Sequence, residues 1–148
     1  MELGGTTWIV AADREHARVF EEKVLAGDVH ELVDLAMRGD DVHGGARHHT
    51  GTVHDRHGAG RHGAGDHAAD DEIARAFFGR LVEKLEAAER RGAFDSLVLM
   101  APPRALGLLK GALSKALEKK LIGTDPHECV QERAEKIRTR LHKVRAKG

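Results

Sequence analysis

Histidine is concentrated in one segment of the chain. Residues 40–67, DDVHGGARHHTGTVHDRHGAGRHGAGDH, hold seven of the eleven histidines together with seven glycines. Imidazole nitrogens bind zinc, nickel and copper, often with a carboxylate as a further ligand. We expect no required cofactor, because the glycines leave the ligands without preorganisation, but loose binding of Zn, Ni or Cu is open. The candidate metal ligands are His48, His49, His54, His57, His62 and His67.

The same imidazoles could respond to pH or touch nucleic acid. Unperturbed histidines gain positive charge between about pH 7 and 5. Arg47, Arg56 and Arg61 are interspersed among them. Protonation would make the segment strongly cationic, and such a segment engages phosphate backbone with a salt-dependent affinity.

Further candidate phosphate contacts lie in the C-terminal half. Arg104 follows Pro102-Pro103, where a helix start would point free backbone N–H groups at an anion. The last helix places Arg133, Lys136, Arg140 and Lys143 along one side. The structural alternatives are that the prolines only end a strand and begin a helix, and that the last helix has a solvated cationic face suited to its dipole.

Composition narrows the class of partner. The 24 basic and 24 acidic residues cancel, so no global field draws the protein to nucleic acid or to a membrane, and no DNA partner is expected. A single cysteine, Cys129, favours a reducing compartment, and no signal peptide or membrane span is visible. We expect a cytoplasmic protein, and self-association through an open sheet edge is left open.

Catalytic motifs are not evident. No serine or cysteine nucleophile has a histidine partner at a recognisable spacing, and there is no P-loop or dinucleotide fingerprint. Asp13, Asp34 and Asp95 lie near strand ends, but Asp13 and Asp34 are more simply turn and strand-end residues, and Asp95 precedes its strand rather than following it. No catalytic residue is therefore assigned.

The order of elements predicts an α/β fold. Short strands are expected over residues 6–13, 17–23 and 30–35, and a buried strand over 94–102. A long helix is expected over about 68–91, with Ile73, Phe77, Leu81, Leu85 and Ala88 in its apolar stripe. Pro103 begins a second helix striped by leucines up to Leu121, a short strand near 121–123 is an option, and Asp125 is the expected N-cap of a third helix. We expect one domain over 1–148, a mixed sheet of about four to five strands with three helices packed on it, and a mobile loop at 38–67.

Two stretches carry a family resemblance. WIVAADREHARVFEE and FDSLVLMAPPRALGLLK resemble bacterial proteins required for attachment to host cells, over Trp8 to about Leu121. That family is similar to the middle domain of archaeal and eukaryotic class-one peptide-release factors, which implies the fold and a ribosomal or tRNA partner. In release factors a Gly-Gly-Gln motif on the loop helps place water at the peptidyl-tRNA ester. Here the only glutamine is Gln131, so the resemblance does not extend to hydrolysis.

Several functions stay open at this point. The first hypothesis is a non-catalytic, translation-linked module that binds the ribosome or tRNA. The second is a metal- or pH-responsive protein whose sensor is the histidine-rich segment. A role in host attachment or surface interaction follows from the family name alone, and a residual hydrolase using His62 and His67 to position water is the weakest alternative.

Overall fold

The computed structural model describes residues 5–39 and 64–147 as a mixed sheet with helices on both faces. The described strands are β1 (Thr7–Ala12), β2 (His16–Glu22), β3 (Val29–Glu31), β4 (Met37–Arg38), β5 (Ser96–Met100) and β6 (Leu121–Asp125). The described helices are α1 (Ala64–Arg90), α2 (Pro103–Ala112), α3 (Lys115–Lys120) and α4 (Ala134–Lys147), and Val33–Leu35 form a 3₁₀ turn.

The two apolar runs of the sequence form the centre of the sheet. The strand order is β3-β2-β1-β5-β6, and β4 pairs with β2. β1 is antiparallel to β2 and parallel to β5, and β5 is parallel to β6. All six residues of β1 are buried, because helices cover both faces there, and this explains why its sequence does not alternate between polar and apolar residues.

On one face, α1 to α3 cover a large apolar core. Phe77, Phe78, Leu81 and Leu85 of α1 are buried against the side chains of the central strands. The ring of Trp8 stacks on Phe94 with centroids 4.8 Å apart. The predicted apolar stripe of α1 is confirmed from Phe77 onward, whereas Ile73 is 46% exposed and Ala74 takes the buried position. The helix has turned Ile73 away from the sheet at this point.

On the other face, α4 covers a smaller core. Ile137, Leu141 and Val144 pack against Ile9, Ala11, Phe20, Val98 and Met100. Gly123 of β6 lies so close to α4 that a Cβ there would be 2.5 Å from Val144 Cγ1. Further along the helix, Arg140 Nε lies 3.4 Å from Asp125 Oδ2. Since Val144 meets Gly123 and Arg140 meets Asp125, α4 runs antiparallel along β6.

The α/β class and the mixed sheet are confirmed, but three predicted elements differ. The helix from Pro103 ends at Ala112 because Leu113 is extended, and Ser114 caps the separate helix α3 by accepting from Leu117 N at 3.2 Å. The strand predicted over 30–35 ends at Glu31 and continues as the 3₁₀ turn. The described residues form six strands, where four to five were expected, and four α-helices, where three were expected.

The third difference between the predicted and the observed elements concerns Asp125, which the sequence predicts as the N-cap of the last helix. In the structure it ends β6, and α4 begins only at Ala134. Its carboxylate is instead shared by His127 and Arg140. The local Asp-Pro-x-Glu signal was therefore overridden by an ion pair with a residue fifteen positions later, which sequence spacing does not reveal. Among the described helices, none has the length and apolar character required to cross a bilayer.

Candidate functional site

The carboxyl ends of the parallel strands β1 and β5 meet at a shallow pocket of about 370 Å³. We call it the β1–β5 pocket. This is the sheet edge at which α/β proteins most often bind ligands, because the strand ends and helix starts leave a crevice there. Its lining comprises Asp13, Arg14, Glu15, His16, Pro102, Arg104 and Ala105.

Asp13 organises the tight turn between β1 and β2. Its Oδ1 accepts hydrogen bonds from the backbone N–H of Glu15 at 2.9 Å and of His16 at 2.7 Å. The same oxygen lies 3.2 Å from His16 Nδ1. This arrangement fixes the imidazole through Nδ1 and leaves Nε2 as the nitrogen available to a ligand. Sequence analysis treated Asp13 as a turn residue, which is correct, and missed that it orients a histidine.

Described residues on either side of the histidine-rich segment contact this pocket. Gly39 N donates to Glu15 O at 2.7 Å on one side. On the other side, two aspartates of α1 reach the pocket arginines: Asp70 Oδ2 lies 3.7 Å from Arg14 Nη1, and Asp71 pairs with Arg104. The chain that precedes residues 40–63 and the helix that follows them therefore both contact residues of this pocket.

Arg104 holds α1 to α2 rather than lying free at the helix start. Its Nε and Nη2 donate to the two carboxylate oxygens of Asp71 at 3.1 and 2.7 Å. This hydrogen bonding lowers the pKa of Asp71 and raises the pKa of Arg104. A phosphate at the start of α2 would have to compete with Asp71 for the guanidinium.

The predicted cationic row of α4 divides into two groups. Arg133, Lys136 and Lys143 are exposed, as a phosphate-contacting face requires. Arg140 is largely covered, and its Nε lies near both Asp125 Oδ2 and Cys129 Sγ, at 3.4 and 3.1 Å. Its guanidinium therefore stabilises the chain segment that joins β6 to α4.

That segment contains a polar cluster which sequence analysis did not find. Asp125 is buried, and its Oδ1 lies 2.5 Å from Nδ1 of His127. Cys129 is fully buried beside it, and burial raises the pKa of its thiol to about 11 although Arg140 opposes the shift. A buried thiol whose pKa is raised in this way is protonated at neutral pH, which disfavours Cys129 as a nucleophile. The Asp-x-His spacing was the only signal available in the sequence.

The remaining site predictions fall outside the described residues. These are Arg47, Arg56, Arg61, His48, His49, His54, His57 and His62. His67 falls in the first turn of α1, where the backbone alone is described. Within residues 5–39 and 64–147, no three His, Cys, Asp or Glu side chains are grouped closely enough to hold a metal ion.

Comparison with known proteins identifies a similar fold and a matching family for the chain. The fold is similar to that of the archaeal translation termination factor aRF1, with a TM-score of 0.51 at 14% identity, over 93% of this chain and 37% of that chain. The present chain thus spans little more than a third of the length of that structure, and at this identity the likeness concerns the fold alone. No curated protein matches the sequence. The family model described as "protein required for attachment to host cells" matches residues 8–141, and the chain therefore belongs to that family.

Proposed function

We propose that this protein is a non-catalytic binding module of the translation machinery that contacts ribosomal RNA or tRNA. The observation that carries the proposal is the fold, which overlays on a translation termination factor along 93% of the chain. A fold alone does not define an activity, so the proposal rests further on the charges that the fold exposes.

The exposed cations supply the contact surface of the proposal. Arg133, Lys136 and Lys143 lie on one side of α4 and its approach, free to meet phosphate oxygens. Arg47, Arg56 and Arg61 would add to them from the histidine-rich segment. Arg104 would contribute less to phosphate binding, because its guanidinium is already paired with Asp71. Binding through such side chains is salt-dependent, since each phosphate contact releases counterions.

The absence of a suitable glutamine supports a non-catalytic role. Gln131, the only glutamine, is an exposed residue between β6 and α4 and is not preceded by glycines. Gly44-Gly45 is followed by Ala46 instead. The proposal therefore assigns recognition without release of a peptide.

Cosedimentation with purified ribosomes across a salt series tests the proposal. We expect salt-sensitive binding that survives a chelator and falls when Lys136 and Lys143 are both changed to Glu. The matched control is Lys84→Glu, an exposed lysine of α1 on the opposite face of the sheet. Absence of cosedimentation at low salt, or equal loss in the control, would contradict the proposal for ribosomes.

A second candidate function rests on the histidine-rich segment. Seven histidines within 28 residues supply many potential metal ligands. Among the described residues, no other group of His, Cys, Asp or Glu side chains could hold a metal ion. A metal-responsive protein would be stabilised by saturating Zn²⁺ or Ni²⁺, because a ligand that binds only the folded state raises its stability. Calorimetric titration of the full chain measures the binding, and the matched variant lacks residues 43–62 and has His67→Ala, so that it retains none of the candidate ligands. Metal-dependent heat that persists after the deletion would exclude the segment as the sensor.

A further inference from the structure

β6 is an edge strand with an open side. It is last in the strand order, and within the described residues only β5 pairs with it. Asp125 O accepts a hydrogen bond from Ala101 N at 3.0 Å, so the backbone of Asp125 faces β5. Since successive residues of a strand turn their backbone groups to opposite sides, Thr124 directs its N–H and C=O away from the sheet. These groups are a template for another strand.

A row of exposed cations follows this edge. Because α4 runs antiparallel along β6 with Arg140 against Asp125, residues spaced by three, four or seven from Arg140 share the same side of the helix. Three lysines stand at such spacings, Lys136, Lys143 and Lys147, and all three are exposed. No acidic residue follows Glu135 in the chain. The edge is therefore flanked by positive charge along its length.

An apolar side chain also marks the edge. The pairing of β5 with β6 shifts register between Leu97 and Val98, which leaves Ile122 opposite no residue of β5. Ile122 is 47% exposed, one of the few large apolar side chains at the described surface. The two outer strands at the opposite end of the sheet, β3 and β4, have only three and two residues, whereas β6 has five.

We propose that the β6 edge, with Lys136, Lys143 and Lys147 beside it, binds an extended acidic segment of a partner protein by strand addition. The backbone of the segment would continue the sheet, its acidic side chains would meet the lysines, and an apolar residue would cover Ile122. A second copy of this chain fits poorly, because two β6 edges would bring two lysine rows together. RNA would satisfy the lysines but has no alternating N–H and C=O groups to pair with Thr124.

Fluorescence anisotropy of the full chain with a labelled ten-residue peptide of alternating Glu and Val tests this inference. We expect saturable binding, and about tenfold weaker binding in the Lys143→Glu, Lys147→Glu variant, since each reversal replaces an attraction by a repulsion. A peptide with Lys in place of Glu should bind only the reversed variant. Lys84→Glu is the matched control and should bind as the unaltered chain does.

Thr124→Pro separates strand addition from simple charge attraction. Proline is tolerated on an edge strand where its missing N–H would have faced outward, so the fold should survive and peptide binding should fall. Ribosome cosedimentation should be unchanged, since RNA does not use that N–H. In the unaltered chain, the Thr124 amide should exchange with deuterium more slowly when peptide is bound. Peptide binding by Thr124→Pro that is as strong as that of the unaltered chain, or an unprotected Thr124 amide at saturation, overturns the inference.

Discussion

α1 and α4 pack on opposite faces of the same sheet and are held there in different ways. α1 buries phenylalanines and leucines in the larger core, where contacts are many and non-directional. α4 buries only three apolar side chains and is fixed by arginines: Arg138 donates to Ala26 O at 2.9 Å, Arg140 meets Asp125, and Arg145 pairs with Glu22. Guanidinium pairs are directional, so they define where the helix lies as well as how strongly it binds.

The segment that leads into α4 follows the same principle. Arg18 of β2 donates through Nη1 to the carbonyl oxygens of Val130 and Glu132, both at 2.8 Å, and pairs with Glu31. One side chain therefore anchors a chain segment more than a hundred residues away. Polar contacts therefore specify the position of α4 on the sheet, whereas the position of α1 follows from the shape of the apolar core.

The largest expected effect lies on the α1 face. Phe77→Ala removes a fully buried ring and should lower the free energy of unfolding by about 3–5 kcal/mol. Ile73→Ala, on the same helix but 46% exposed, is the control and should cost much less. Urea denaturation followed by circular dichroism measures both. Similar losses for the two variants would contradict the assignment of Ile73 to the surface.

The corresponding test of the α4 face is Arg145→Met. It leaves the carboxylate of Glu22, which is fully buried, without its bidentate partner, and should cost about 3 kcal/mol. Adding Glu22→Gln should recover part of the loss, since the buried charge is then removed. A cost below about 1 kcal/mol for Arg145→Met would show that α4 is held by its apolar contacts instead.

A smaller, stabilising effect is expected at the turn between β2 and β3, which α4 contacts through Arg138. Ala26 has a φ of 63°, in the left-handed region that disfavours a Cβ. Ala26→Gly removes that strain, and the net gain should be about 0.5–1 kcal/mol after the extra entropy of glycine in the unfolded chain. Thermal unfolding measures it. Destabilisation would contradict the assignment of backbone strain to Ala26, because glycine keeps the carbonyl oxygen that accepts from Arg138.

The smallest expected effect concerns pH and the α1 face. Hydrogen bonding to Arg104 lowers the pKa of Asp71 below its ordinary value of 3.8. Its contribution to stability is therefore present above about pH 3.8 and is lost as the pH falls through the lower folded-state value. Asp71→Asn should lower Tm slightly at pH 7 and not at the most acidic pH that still permits folding. Glu72→Gln, exposed on the same helix, is the control.

The sequence by itself determined the features that depend on neighbouring residues. The continuous apolar runs predicted β1 and β5, the three-to-four-residue spacing from Phe77 predicted α1, and Pro103 marked the start of α2. The two quoted stretches also identified the family, because the resemblance is carried by their amino-acid sequence and needs no structure. These properties are local, so periodicity and turn residues express them directly.

Only the tertiary structure decided the contacts between distant residues. The sequence predicts Asp125 as a helix cap, but in the structure its carboxylate pairs with Arg140. The sequence likewise predicts Arg104 as part of an anion site, but in the structure it pairs with Asp71 of α1. The β1–β5 pocket likewise needs the ends of two strands that lie some ninety residues apart. Such contacts depend on how the sheet brings separate segments together, and no spacing within a single segment encodes that geometry.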